Sequence, residues 1–153
     1  MKQNAMCVTA IGLVFCLTTL AQGAEVAPND VKFDNGAVAE SLTGVPGSAA
    51  DGRKWVIDRK LGNCIACHMN SEAKEQAFQG EIGPPLDGVA GRWSEAELRG
   101  ILTNSKMTFE GTIMPAFYNT SNVNRPLKDF EGKTILTAQQ VEDVIAYLMT
   151  LKE

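Results

Sequence analysis

Five consecutive residues, Cys64-Ile65-Ala66-Cys67-His68, carry the strongest chemical signal in the chain. Two thiols three residues apart lie on one helical turn, so each can add to one vinyl group of a haem. His68, the next residue and the sole histidine, is then placed to serve as an axial ligand to the iron. Competing uses fit less well. A structural zinc site takes four ligands, and this segment offers two Cys and one His. A redox dithiol of the thioredoxin type expects a βαβ setting, and no run here alternates with the period of a strand. A plain disulfide leaves the adjacent histidine without a role.

With no second histidine, the sixth position falls to a methionine or stays open. Met69 adjoins His68 and belongs on the same side as that ligand. Met149 sits in the last turn of a predicted helix, where a gap-filling core role suits it. Met107 and Met114 both lie in a loop region. Met114 is favoured because Pro115 follows it, which biases Met114 toward extended backbone and lets a loop present the thioether. A ligating imidazole usually donates its other N–H to an acceptor. Gly83-Pro84-Pro85-Leu86 can turn a carbonyl toward His68, so Pro84 is a candidate. Arg92 is a candidate partner for a haem propionate, against the plainer role of a solvated arginine. Trp55 and Trp93 read as packing residues.

Around these residues the pattern predicts helices joined by long loops. Ser48 with Asp51 marks a helix N-terminus, with the helix running to about Lys60. A weak helical patch spans 72–78, and 80–91 is a loop punctuated by Gly and Pro. Ser94 with Glu97 forms a capping box ahead of Leu98, Ile101 and Leu102. A further loop covers 104–132. Thr137 with Gln140 forms a second box before Val141, Val144, Ile145, Leu148 and Leu151, which recur at helical spacing. The expected class is all-α, with a core that side chains alone do not complete, since loops this long inside a compact domain are usually functional or disordered.

Length and composition frame this reading. The chain has 153 residues, 44% of them apolar and 21% charged, with a formal charge of -4. That suits one globular domain. The acidic balance gives no electrostatic footprint for nucleic acid. Residues 1–24 have a positive start at Lys2, an apolar centre to Leu20 and the small residues Ala21, Gly23 and Ala24. They read as a cleaved signal peptide rather than a membrane anchor, with processing somewhere in 21–24. Cleavage would remove Cys7 and Cys16, leaving Cys64 and Cys67, and would deliver the protein to the periplasm. Residues 25–47, with few apolar positions, read as an extended N-terminal arm, expected to cover a partner. Residues 48–153 form the domain proper.

The order Cys64–His68, Gly83-Pro84-x-Leu86, Gly91-Arg92, Met114-Pro115 and Val141 through Leu148 resembles class I cytochrome c. In that family the first and last helices cross near a glycine and aromatics, here matched by Gly52, Trp55 and Tyr147. The family's proline carbonyl that orients the axial histidine maps onto Pro84, and its methionine ligand onto Met114. A narrower resemblance rests on Ser41-Leu42-Thr43-Gly44, Gly62-Asn63-Cys64, Ile82 through Val89, Met114 through Tyr118 and Ile135 through Asp143. These are similar to SoxX, the monohaem subunit of the thiosulfate-oxidising SoxAX cytochromes, over about residues 38–152.

That resemblance implies haem c, one per chain, held by Cys64 and Cys67. It implies a heterodimer with a SoxA-type cytochrome subunit that carries the active haem. The complex joins thiosulfate oxidatively to a cysteine of a carrier protein, an L-cysteine S-thiosulfotransferase activity. This chain would accept the electrons and hand them to a downstream cytochrome. A free periplasmic electron shuttle is the alternative, and a haem catalyst or sensor with an open iron is a third. The arm at 25–47 is expected to separate the first two, because a shuttle has little use for it.

Overall fold

The computed structural model describes residues 24–152; the segment 1–24, expected to be a signal peptide, lies outside them save for Ala24. Four α-helices carry the fold: α1 (Ala49–Ile57), α2 (Val89–Arg92), α3 (Glu95–Asn104) and α4 (Ala138–Leu148). Short 3₁₀ turns lie at Cys64–Ala66, Ser71–Ala73, Ser105–Met107 and Lys128–Phe130. Among the described residues there is no strand, only an isolated bridge between Asp34 and Ala37. The all-α expectation therefore stands.

Both capping boxes form as predicted. Ser94 accepts from Glu97 N while the Glu97 carboxylate accepts from Ser94 N, and Thr137 and Gln140 do the same at α4. Each box satisfies two of the amide donors that a helix start leaves free. The stripes behind them are buried: Leu98, Ile101 and Leu102 on α3, and Val141, Val144, Ile145 and Leu148 on α4.

Helix α1 starts at the Ser48 cap, whose hydroxyl accepts from Asp51 N at 3.3 Å. It ends at Ile57, three residues short of the expected Lys60. Asp58 turns to extended backbone, and its carboxylate accepts from Lys60 N at 2.8 Å. That local bond offers the chain an alternative to another helical turn. The main helix–helix packing is between α1 and α4. It is close because Gly52 has no side chain; a Cβ there would overlap the Asp143 carbonyl. The Asp143 carboxylate ties the crossing together, accepting from Ser48 N at 2.8 Å and Trp55 Nε1 at 3.2 Å.

Three expectations are corrected. The helical patch at 72–78 shrinks to the turn Ser71–Ala73. Gln79 Nε2 donates to Ala73 O, and Phe78 adopts a left-handed backbone with φ 60°, so the carbonyls a helix would use are taken by a side chain. The loop 80–91 contains the start of the one-turn helix α2. Residues 25–47 are not an extended arm. Val38 and Leu42 are fully buried in the core. Val38 N donates to Ala96 O at 2.9 Å, and Leu42 N to Glu142 Oε1 at 2.8 Å. Few apolar residues suffice because those few are placed in the groove between α3 and α4, and buried polar groups of the helices receive the segment's backbone.

Candidate functional site

The turn Cys64–Ala66 follows Asn63, which takes the left-handed conformation (φ 46°) that breaks the chain away from α1. Cys67 N and His68 N both donate to Cys64 O, at 3.1 and 3.0 Å. This places both thiols and the imidazole on one turn. Neither cysteine is in a disulfide. Desolvation pushes the Cys64 thiol up to about 12, opposite to the lowered values of reactive redox cysteines. Among the described residues no three His, Cys, Asp or Glu side chains converge as a metal-binding group.

The loop 80–86 is laced onto this turn. Gly80 N donates to Ile65 O, Gly83 N to Cys67 O and Leu86 N to Met69 O, each at 2.8 Å. Held there, the Pro84 carbonyl accepts from His68 Nδ1 at 2.6 Å. A carbonyl can only accept, so Nδ1 carries the proton and Nε2 keeps a free lone pair for a metal. Gly83 is required by the approach of the ring, since a Cβ there would overlap the imidazole. Arg92 reinforces the loop by donating to Asp87 O at 2.7 Å and Pro85 O at 2.6 Å. The guanidinium is thus a brace on the loop as well as part of the cavity wall.

Cys64, Cys67 and His68 open onto a cavity of about 800 Å³ with a mainly apolar wall. Met114 lines the same cavity. The other candidates lie elsewhere: Met107 and Met69 are exposed, and Met149 packs against the core. Trp93 contributes to the wall and meets Phe109 edge-on, with centroids 5.9 Å apart. Four cations, Arg59, Lys60, Arg92 and Lys133, line the cavity, and no Asp or Glu does so among the described residues. Arg59, Lys60 and Lys133 carry no motif that singles them out in sequence. Asn63 Oδ1, in the same wall, is buried without a hydrogen-bond partner. A large apolar group with anionic substituents fits these features: thiols for covalent attachment, an imidazole and a thioether for a metal, and cations for the charge.

The comparisons with known proteins agree with this geometry. The family model described as "Cytochrome c" matches residues 49–152. A chain of the crystal structure of SoxXA from P. pantotrophus is similar at 50% sequence identity and a TM-score of 0.80. The match covers 85% of this chain and 100% of that one. No curated protein sequence matches the chain.

Proposed function

The chain belongs to the cytochrome c family and is of the SoxX type, and from that premise we propose that it is the electron-accepting subunit of a two-cytochrome complex that oxidises thiosulfate. The family binds haem c covalently, which fixes the role of Cys64 and Cys67. Haem c supplies a one-electron redox couple. The chain's own residues decide how that couple behaves. Pro84 O keeps the proton on His68 Nδ1, so Nε2 would be the atom that holds the iron. Met114, on the same cavity, would hold the iron from a second side through its thioether. Holding by His and Met would raise the reduction potential and would leave no open position for a substrate. Both properties suit accepting electrons rather than binding thiosulfate.

The proposed partner is a SoxA-type cytochrome, on which thiosulfate is joined to a carrier-protein cysteine. Forming that sulfur–sulfur bond releases two electrons, which this chain passes singly to a downstream cytochrome. The observation that carries this reading is the 50% identity over the whole of a SoxXA chain. Within residues 25–47, Val38 and Leu42 are committed to this chain's own core, and the exposed remainder is left to cover the partner. No helix among the described residues is long and apolar enough to cross a membrane, and the reading places the protein in the periplasm.

Purification from the native source tests the assignment. Recovery with a second cytochrome in equal amount, and loss of growth on thiosulfate when the gene is deleted, are expected. Recovery as a lone monomer with no thiosulfate phenotype would make it a free shuttle.

A further inference from the structure

The segment that carries Met114 has few handles by which the fold can hold it. Pro115 has no N–H, so it offers the backbone nothing to donate. The Met114 N–H is used on Thr112 Oγ1 at 3.2 Å, within the same loop. Beyond the loop, Phe117 N donates to Leu102 O at 3.0 Å and Tyr118 N to Thr103 O at 3.2 Å. These bonds secure 117–118 to the end of α3 but leave the Met-Pro unit itself to be fixed through its carbonyls. Both carbonyls face one side chain. Ser105 Oγ lies 2.7 Å from Met114 O and 3.4 Å from Pro115 O. Lys106 Nζ also donates to Met114 O. The two donors differ in kind. Ser105 is fully buried at the junction of α3 with the following turn. Its side chain has one rotatable bond to the oxygen and no water to compete for it. Lys106 is exposed at the end of four methylenes.

The geometry points to Ser105 as the positioning residue for the sixth ligand: its hydroxyl pins the Met114 carbonyl and so holds the thioether in place against displacement. The inference rests on Met114 being that ligand. Met114 is half-buried, so loss of the Ser105 hydroxyl leaves its carbonyl with the Lys106 ammonium alone, at the end of a flexible exposed side chain that the carbonyl can follow. Movement of Met114 O carries the rest of that residue with it. Removing the hydroxyl should therefore weaken the bond from Met114 to iron well before it unfolds the protein.

The test uses the haem-loaded protein with four substitutions. Ser105→Ala removes the hydroxyl, and Ser105→Thr keeps one. Thr103→Val removes a hydroxyl that is equally buried, two residues earlier on α3, and has no hydrogen-bond partner. Met114→Ala removes the ligand itself. Imidazole titration reads how readily the sixth position is taken, and circular dichroism reads global unfolding. Ser105→Ala should bind imidazole about tenfold more tightly, the effect of one lost hydrogen bond from a buried donor. Its sulfur–iron band should disappear at lower denaturant than its helical signal. Ser105→Thr should recover most of the native affinity, and Thr103→Val should match the native protein. Unchanged imidazole affinity in Ser105→Ala, or an equal rise in Thr103→Val, would overturn the inference while leaving Met114 as ligand. An unchanged spectrum in Met114→Ala would instead overturn the ligand assignment beneath it.

Discussion

Arg99 on α3 and Glu142 on α4 form a buried two-point ion pair, with Nε to Oε1 at 2.9 Å and Nη2 to Oε2 at 3.0 Å. The pair is also the anchor of the N-terminal segment. Arg99 Nη1 donates to Val38 O at 3.0 Å, and Glu142 Oε1 accepts from Leu42 N at 2.8 Å. Two helices and the chain before them thus share one charged node inside the protein, and every polar atom it desolvates is matched.

Breaking that node by removing one partner leaves a buried charge and unpaired backbone groups. Arg99→Ala should destabilise the fold by about 3–5 kcal/mol, measured by denaturant unfolding of the haem-loaded protein. The same change should increase proteolytic cleavage within residues 25–42, because that segment loses its donor. A loss below about 1 kcal/mol would mean the pair behaves as a surface bridge.

Gly83→Ala tests the packing of the imidazole against the loop. The added methyl would overlap the His68 ring, so the ring must turn away from Pro84 or the loop must lift. The expected result is a reduced yield of low-spin cytochrome and a shifted reduction potential, read by absorption spectroscopy and redox titration. A native spectrum and potential would show that the Pro84 contact is dispensable.

Met114→Ala should abolish the near-infrared sulfur–iron band and lower the reduction potential by a fraction of the roughly 0.8 V that axial ligands span. The reduced variant should bind carbon monoxide, and the native protein should not. Met107→Ala, at an exposed position outside the cavity wall, should leave the spectrum unaltered.

Tyr118 gives a pH dependence at the alkaline end. Its ring is buried, and its hydroxyl proton is shared between two acceptors, Val26 O at 2.8 Å and Glu25 Oε1 at 3.0 Å. Burial, then the Glu25 carboxylate, pushes its pKa up. An acid whose folded pKa is raised is held neutral by the fold. Its contribution is therefore complete below the unfolded value, about 10, and is lost as pH rises beyond it. Unfolding free energy should fall with pH above about 10, and Tyr118→Phe should flatten that slope. An unchanged slope in Tyr118→Phe would assign the alkaline loss to other groups.

Much of the site could be read from sequence because it is built from contiguous residues. The Cys64–His68 run, the Pro84 carbonyl and the Met114-Pro115 pair each announce themselves by spacing of a few positions. The two capping boxes are equally local. What sequence concealed is non-local. Val38 and Leu42 look too sparse for a core until α3 and α4 supply the groove, so residues 25–47 read in sequence as an extended arm. Arg99 looks like an ordinary helical cation, since its partner is 43 residues away. Ser105 carries no motif, and its role depends on a carbonyl nine residues further along. Arg92 lines the cavity, as its candidate role toward a propionate requires, and its contacts with the Pro85 and Asp87 carbonyls are a second role that carries no motif.

The central claim is that this chain receives the electrons while its partner handles thiosulfate. Stopped-flow spectroscopy of the native complex, mixed with thiosulfate and the carrier protein, tests it directly. The account predicts that the haem of this chain becomes reduced in the complex, and that the isolated chain stays oxidised under the same conditions. Reduction of the isolated chain by thiosulfate, or product formation while this chain's haem in the complex never changes state, would contradict it.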